Sequence, residues 1–166
     1  MLRLRSLVLF LSITAGFASA QLVPKGNVYF GFAYNRAEIV TNDGTNLNGW
    51  DTQFEGKVVP FLGIVGDLGG TYGNSISEYN FLFGPRLSVQ VSRVRPFGEL
   101  LIGASHVNVA NGAATNTSFA NAAGGGLDYK VAGPVAVRGQ LDWIHTRNFS
   151  NDQNDVRFTF GLVLDF

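Results

Sequence analysis

The chain has no cysteine and a single methionine among its 166 residues. Without a thiol there can be no disulfide framework, no thiolate metal site and no cysteine nucleophile. Histidine is nearly as scarce: only His106 and His145 occur, too few to build a structural zinc site in the absence of cysteine. Charged residues make up 14% of the chain, with twelve of each sign. No basic stripe of the kind that nucleic-acid binding requires is present. No segment shows a sustained helical period. The N-terminal apolar run, Leu7 to Phe17, is about half of the ~20 residues that a membrane helix needs.

That run follows Arg3 and Arg5 and leads into Ala18-Ser19-Ala20. A basic start, a short apolar stretch and a small-residue cleavage site form the layout of an export signal. The expected organisation is a signal peptide over residues 1–20 and one mature domain over residues 21–166, starting at Gln21. Its removal leaves ten basic residues against twelve acidic ones, a net charge near minus two. An exported chain without disulfides must draw its stability from the fold itself.

What the chain has in abundance is alternation. Val156, Phe158, Phe160, Leu162, Leu164 and Phe166 form an apolar series at period two, and Arg157, Thr159, Gly161, Val163 and Asp165 fill the positions between. This is a strand with one apolar face and one polar face. Comparable segments run from Asn27 to Arg36, Trp50 to Val59, Leu62 to Tyr72, Tyr79 to Val91, Pro96 to Val107, Phe119 to Val131 and Val135 to Arg147. The connections alternate. Ala37 to Gly49, Gly73 to Glu78, Asn108 to Ser118 and Asn148 to Asp155 are longer and polar, whereas Pro60-Phe61, Ser92 to Arg95 and Ala132-Gly133-Pro134 are tight. Eight strands joined by alternately long and short connections predict an all-β, eight-stranded, antiparallel up-and-down transmembrane barrel. Ten residues rising ~3.3 Å each at a tilt of ~40° climb roughly 25 Å, the height of the apolar band of such barrels.

Charge placement supports the membrane reading. Assigning each strand by its more apolar face leaves Asp, Glu, Lys and Arg off that face in all eight strands, apart from Arg36 and Arg147 at the last positions of their segments. Such an absence is what lipid exposure predicts, because Arg or Lys at mid-membrane costs about 2–4 kcal/mol. The opposite parity collects Glu55, Lys57, Asp67, Arg86, Glu99, Asp128, Arg138, Gln140, Asp142 and Arg157. These are the expected lumenal polar network, and enclosed charges of mixed sign should pair, since desolvation penalises a lone ion by several kcal/mol. Asp165 and Lys130 are expected at the rim, in contact with water. Tyr34, Trp50, Tyr72, Tyr79, Phe119 and Trp143 on the long-connection side, with Tyr129 and Phe166 on the other, are expected to form two interfacial aromatic girdles. A soluble eight-stranded ligand-binding barrel is the competing architecture, but it would place apolar residues inside and charge outside.

The terminal strand, with Phe158, Phe160, Leu162 and Leu164 leading to a final Phe166, resembles the assembly signal of bacterial outer-membrane barrels. Ala123-Gly124-Gly125-Gly126-Leu127-Asp128-Tyr129 and Val137-Arg138-Gly139-Gln140-Leu141-Asp142-Trp143 resemble one hairpin of the OmpA-like, opacity-type eight-stranded barrels. Phe83-Gly84-Pro85-Arg86 and Pro96-Phe97-Gly98-Glu99 are similar in character. The resemblance implies an outer-membrane location, partnership with the barrel assembly machinery and lipid, a monomer, and an interior pair between Asp128 and Arg138. Because the chain stops at Phe166, the expectation is a small member without a periplasmic wall-binding domain.

Other signals are weaker. The glycines from Gly63 to Gly70 lack the strand-to-helix context of a nucleotide loop, and the sequons at Asn116 and Asn148 merely agree with surface connections. Ser105 and His106 are sequence neighbours in a strand, so they point to opposite faces and could not share a proton. No enzyme, cofactor, metal or nucleic-acid partner is therefore expected. Two functional expectations stay open: a structural or adhesion-like surface protein whose external loops meet host or matrix ligands, and a narrow porin-like channel for small polar solutes.

Overall fold

Alternating apolar and polar side chains favour extended backbone, because a strand sends successive side chains to opposite faces. The computed structural model describes residues 25–37, 45–73, 75–109, 114–148 and 151–166; the expected signal peptide and the cleavage point before Gln21 lie outside them. Eight strands follow in order: β1 (Gly26–Ala37), β2 (Thr45–Val59), β3 (Leu62–Gly73), β4 (Ile76–Ser88), β5 (Val94–Val109), β6 (Ala114–Ala132), β7 (Val135–Asn148) and β8 (Asn151–Asp165). Each pairs with the next, and β1 pairs antiparallel with β8 to close the barrel. Gly26 and Phe166 exchange two backbone hydrogen bonds of 3.0 Å, extending the closing seam to the final residue. Among the described residues, closure leaves no edge strand with unpaired backbone groups.

The strands extend further on the long-connection side than alternation predicts. β2 starts at Thr45 rather than Trp50, β4 at Ile76 rather than Tyr79, β6 at Ala114 rather than Phe119 and β8 at Asn151 rather than Val156. Ladder pairs reach Ala37↔Thr45, Gly73↔Ile76, Val109↔Ala114 and Asn148↔Asn151. Backbone pairing needs only a neighbouring strand, so it continues through Asn- and Thr-rich ends after the apolar pattern has stopped. On the tight-turn side, β4 ends at Ser88 instead of Val91. Val91 and Val94 then bond each other around Ser92-Arg93, with Ser92 at φ 56°. Arg95, expected in that turn, belongs to β5.

The two faces separate as parity requires. Phe30, Leu100, Leu141 and Phe160 on the outer wall are 64, 64, 56 and 56% exposed, while Arg86, Arg138 and Arg157 are almost fully buried inside. This distribution is the reverse of that of a soluble ligand-binding barrel. The interior is not uniformly polar: Val65, Leu82, Leu101, Ala120, Ala122 and Ile144 form one apolar cluster, and Leu47, Ile76 and Val107 another.

Candidate functional site

Arg86 on β4, Arg138 on β7 and Arg157 on β8 point inward because each sits at the parity opposite to its strand's apolar series. Each faces acids supplied by other strands. Arg138 lies opposite Asp128 in the β6·β7 register, and its Nε and Nη2 donate to the two carboxylate oxygens of Asp128 at 2.6 and 2.9 Å. Arg86 Nε donates to Glu99 Oε2 at 2.6 Å, and a longer contact of 3.4 Å reaches Glu55. Glu55 is held in addition by Lys57 at 2.5 Å and by Asn27 at 2.7 Å. Arg157 is shared among Asp67, Asp142 and Asp51 at 2.6, 3.0 and 3.3 Å.

Gln53 joins these three centres. Its Oε1 accepts from Arg86 Nη2 at 2.5 Å and from Arg138 Nη1 at 2.8 Å, while its Nε2 donates to Asp67 at 2.9 Å. Gln140 donates to both Glu99 and Asp142 at 2.9 Å. Phe97 stands between Arg86 and Arg138, with the guanidinium carbons 4.3 and 4.7 Å from its ring centroid. The negative face of the ring thus meets both cations. Two glycines admit the bulk: a Cβ at Gly124 would meet the Asp142 carboxylate, and one at Gly63 the Glu55 side chain.

All ten residues expected in the lumenal network line the interior, with Lys57 towards the rim. Several members were not anticipated. Asp51 and Gln53 lie at the inward parity of a recognised strand, so the same alternation could have found them. Glu78, read as part of a connection, is buried in β4 and bonds Ser105 and Asn35 at 3.0 Å each. Arg95, read as a turn residue, bridges Asp128 and Asp165 at 2.7 and 2.9 Å; Asp165 thereby has an ionic partner at the rim. Oxygens of Asp67, Glu99 and Asp142 fall within 4.8 Å of one another, a spacing that a cation could bridge. All three carboxylates already meet guanidinium groups.

On the outer face, Trp50 Nε1 lies 3.4 Å from Tyr72 Oη, and Tyr72 and Tyr79 pack edge to face with centroids 5.7 Å apart. Tyr34, Phe119, Trp143 and Tyr129 are exposed on the same wall, and Phe166 is exposed beside the closing seam. His106 Nδ1 lies 2.7 Å from Thr117 and His145 Nδ1 3.0 Å from Asn154. Ser105, bonded to Glu78, faces the interior instead.

No family model and no curated protein matches the chain. Solved structures match it in fold. Neisserial surface protein A is 11% identical, with 85% of this chain and 97% of that one covered and a TM-score of 0.73. Ail, the attachment invasion locus protein of Yersinia pestis, is 14% identical over 86% of this chain and 99% of that one, with a TM-score of 0.61. The outer membrane protein OprG of Pseudomonas aeruginosa is 10% identical over 86% and 96%, with a TM-score of 0.62. Eight strands closed in sequence order around a charged interior, with an apolar wall outside, give this chain the fold of the small eight-stranded outer-membrane β-barrels.

Proposed function

We propose that the protein is an integral outer-membrane barrel, exported by a cleaved signal peptide, that works through its long-connection end as a surface-interaction, adhesion-like protein. The observation that carries this reading is the filled lumen. Three arginines at most 1% exposed are cross-linked through Gln53, Gln140 and their acids, and an eight-stranded barrel is only wide enough for its side chains to fill. In this reading the interior is blocked, which leaves the ends of the strands as the place for function. There Asn46, Asn48, Thr115, Thr117 and Asn154 are exposed and offer hydrogen-bonding groups to polar ligands. Two proteins of this fold are Neisserial surface protein A and the attachment invasion locus protein Ail, and the latter is also known in complex with the heparin analogue sucrose octasulfate.

In this reading the exposed aromatics at the two ends are interfacial girdles, and the charged lumen is a structural plug. Purified protein in planar bilayers is expected to give at most small, rare conductance steps, which become larger and more frequent on Arg138→Ala. A steady, ion-selective conductance from the unaltered protein would instead favour the narrow channel. Fractionation of intact cells followed by external protease tests location and orientation together: cleavage confined to the long-connection end of the membrane-bound barrel is expected.

Phe166 closes the β1·β8 seam through its backbone and is 61% exposed. Phe166→Ser is therefore expected to reduce membrane insertion and leave chain in the periplasm. Equal amounts of heat-modifiable barrel from variant and parent would remove the assembly role.

A further inference from the structure

The tight-turn mouth of the barrel carries cations that the lumenal network does not use. Arg93, Arg95 and Lys130, with Gln90, Ser92, Asp128 and Asp165, line a concavity of about 200 Å³. Both acids are committed: Arg95 holds Asp128 and Asp165, and Arg138 takes Asp128 from below. Arg93 and Lys130 are exposed, and neither pairs with an acid among the described residues.

The register places these two cations side by side. Val94 pairs with Tyr129 and Arg95 with Asp128. One step further, Lys130 N donates to Arg93 O at 2.8 Å. Arg93 and Lys130 share the parity of the inward-facing Arg95 and Asp128, so both project towards the mouth. Like charges directly opposite on one face repel. The turn holds Arg93 in place: Val91 and Val94 bond each other at 2.8 and 3.0 Å, and Gln90 Nε2 donates to Ser92 O at 2.6 Å. A pair of adjacent, unneutralised donors beside a cavity is complementary to an anion with several acceptor oxygens.

We propose that this mouth binds an oxyanion of the phosphate class between Arg93 and Lys130, the two cations there that no acid among the described residues neutralises. Two sources share that chemistry: a dissolved phosphate compound on the turn side of the membrane, and the phosphodiester of a phospholipid headgroup in the adjacent leaflet. The site does not depend on the adhesion reading, since it lies at the opposite end of the barrel.

The test uses the refolded full chain in non-ionic detergent, with ionic strength held constant by sodium chloride, and follows backbone amide NMR shifts. One arm titrates inorganic phosphate; the other adds phosphatidylglycerol to the micelles without phosphate. Saturable shifts centred on residues 90–95 and 128–132 are expected. A response to inorganic phosphate identifies the dissolved source, and a response to phosphatidylglycerol alone identifies the headgroup. Arg93→Gln with Lys130→Gln should weaken binding by at least about tenfold, because a hydrogen bond to a charged group is worth about one such step or more. Lys130→Arg should preserve it. Both positions are exposed, so the variants should keep the parent's heat-modifiable mobility, which serves as the folding control. The absence of a saturable response in both arms, or an undiminished response in the double glutamine variant, overturns the proposal.

Discussion

Arg157→Ala is expected to be the most damaging single side-chain truncation in the barrel. It would leave Asp51, Asp67 and Asp142 facing one another without their common cation, and all three acids are at most 1% exposed. Removing one partner of a buried ion pair typically costs about 3–5 kcal/mol, because the remaining charge is neither solvated nor compensated. Here three acids lose one base, so a value at the upper end of that range is expected from urea unfolding in lipid vesicles. Adding Asp67→Asn removes one of the stranded charges and should recover part of the loss, so the double change should cost less than the sum of the single ones. The Arg138 and Asp128 pair should show the same sign of coupling. A loss of less than ~1 kcal/mol for Arg157→Ala would mean that water reaches these acids from above and that the lumen is not sealed.

Phe83→Arg should destabilise the barrel by about 2–4 kcal/mol if its outer wall meets hydrocarbon, and Val91→Arg by only about 0–1 kcal/mol. Both side chains project outward, 49 and 60% exposed. Phe83 sits within the span of β4, whereas Val91 lies at the tight turn beyond it. The long arginine side chain can reach the headgroups from Val91 but not from the middle of the wall. Unfolding of the three proteins in the same vesicles measures the difference. Equal, small effects at both sites would show that the wall is not immersed in lipid.

Much of this protein was legible from alternation alone. A strand has a side-chain period of two, so the residues flanking Phe158, Phe160 and Leu162 had to face the other way, and the same parity carried Arg86, Arg138 and Asp142 indoors. Eight such segments with alternately tight and long connections leave little choice of topology. The ends of the strands were not legible. Apolar alternation marks only the outer wall's apolar band, whereas the ladder at Thr45, Ala114 and Asn151 is held by backbone groups that have no sequence preference of this kind. Apart from the Asp128–Arg138 pair on neighbouring strands, which the family resemblance implied, partner choice was not legible either. Parity puts Arg157 inside, but only barrel closure brings β8 within reach of Asp67 on β3, 90 residues away. The same holds for Gln53, which reaches Arg86 and Arg138 across the lumen, and for Phe97 between their guanidinium groups. One-dimensional periodicity determined which face each side chain would occupy; curvature and shear of the closed sheet decided which residues meet there, because they set the distances across the interior.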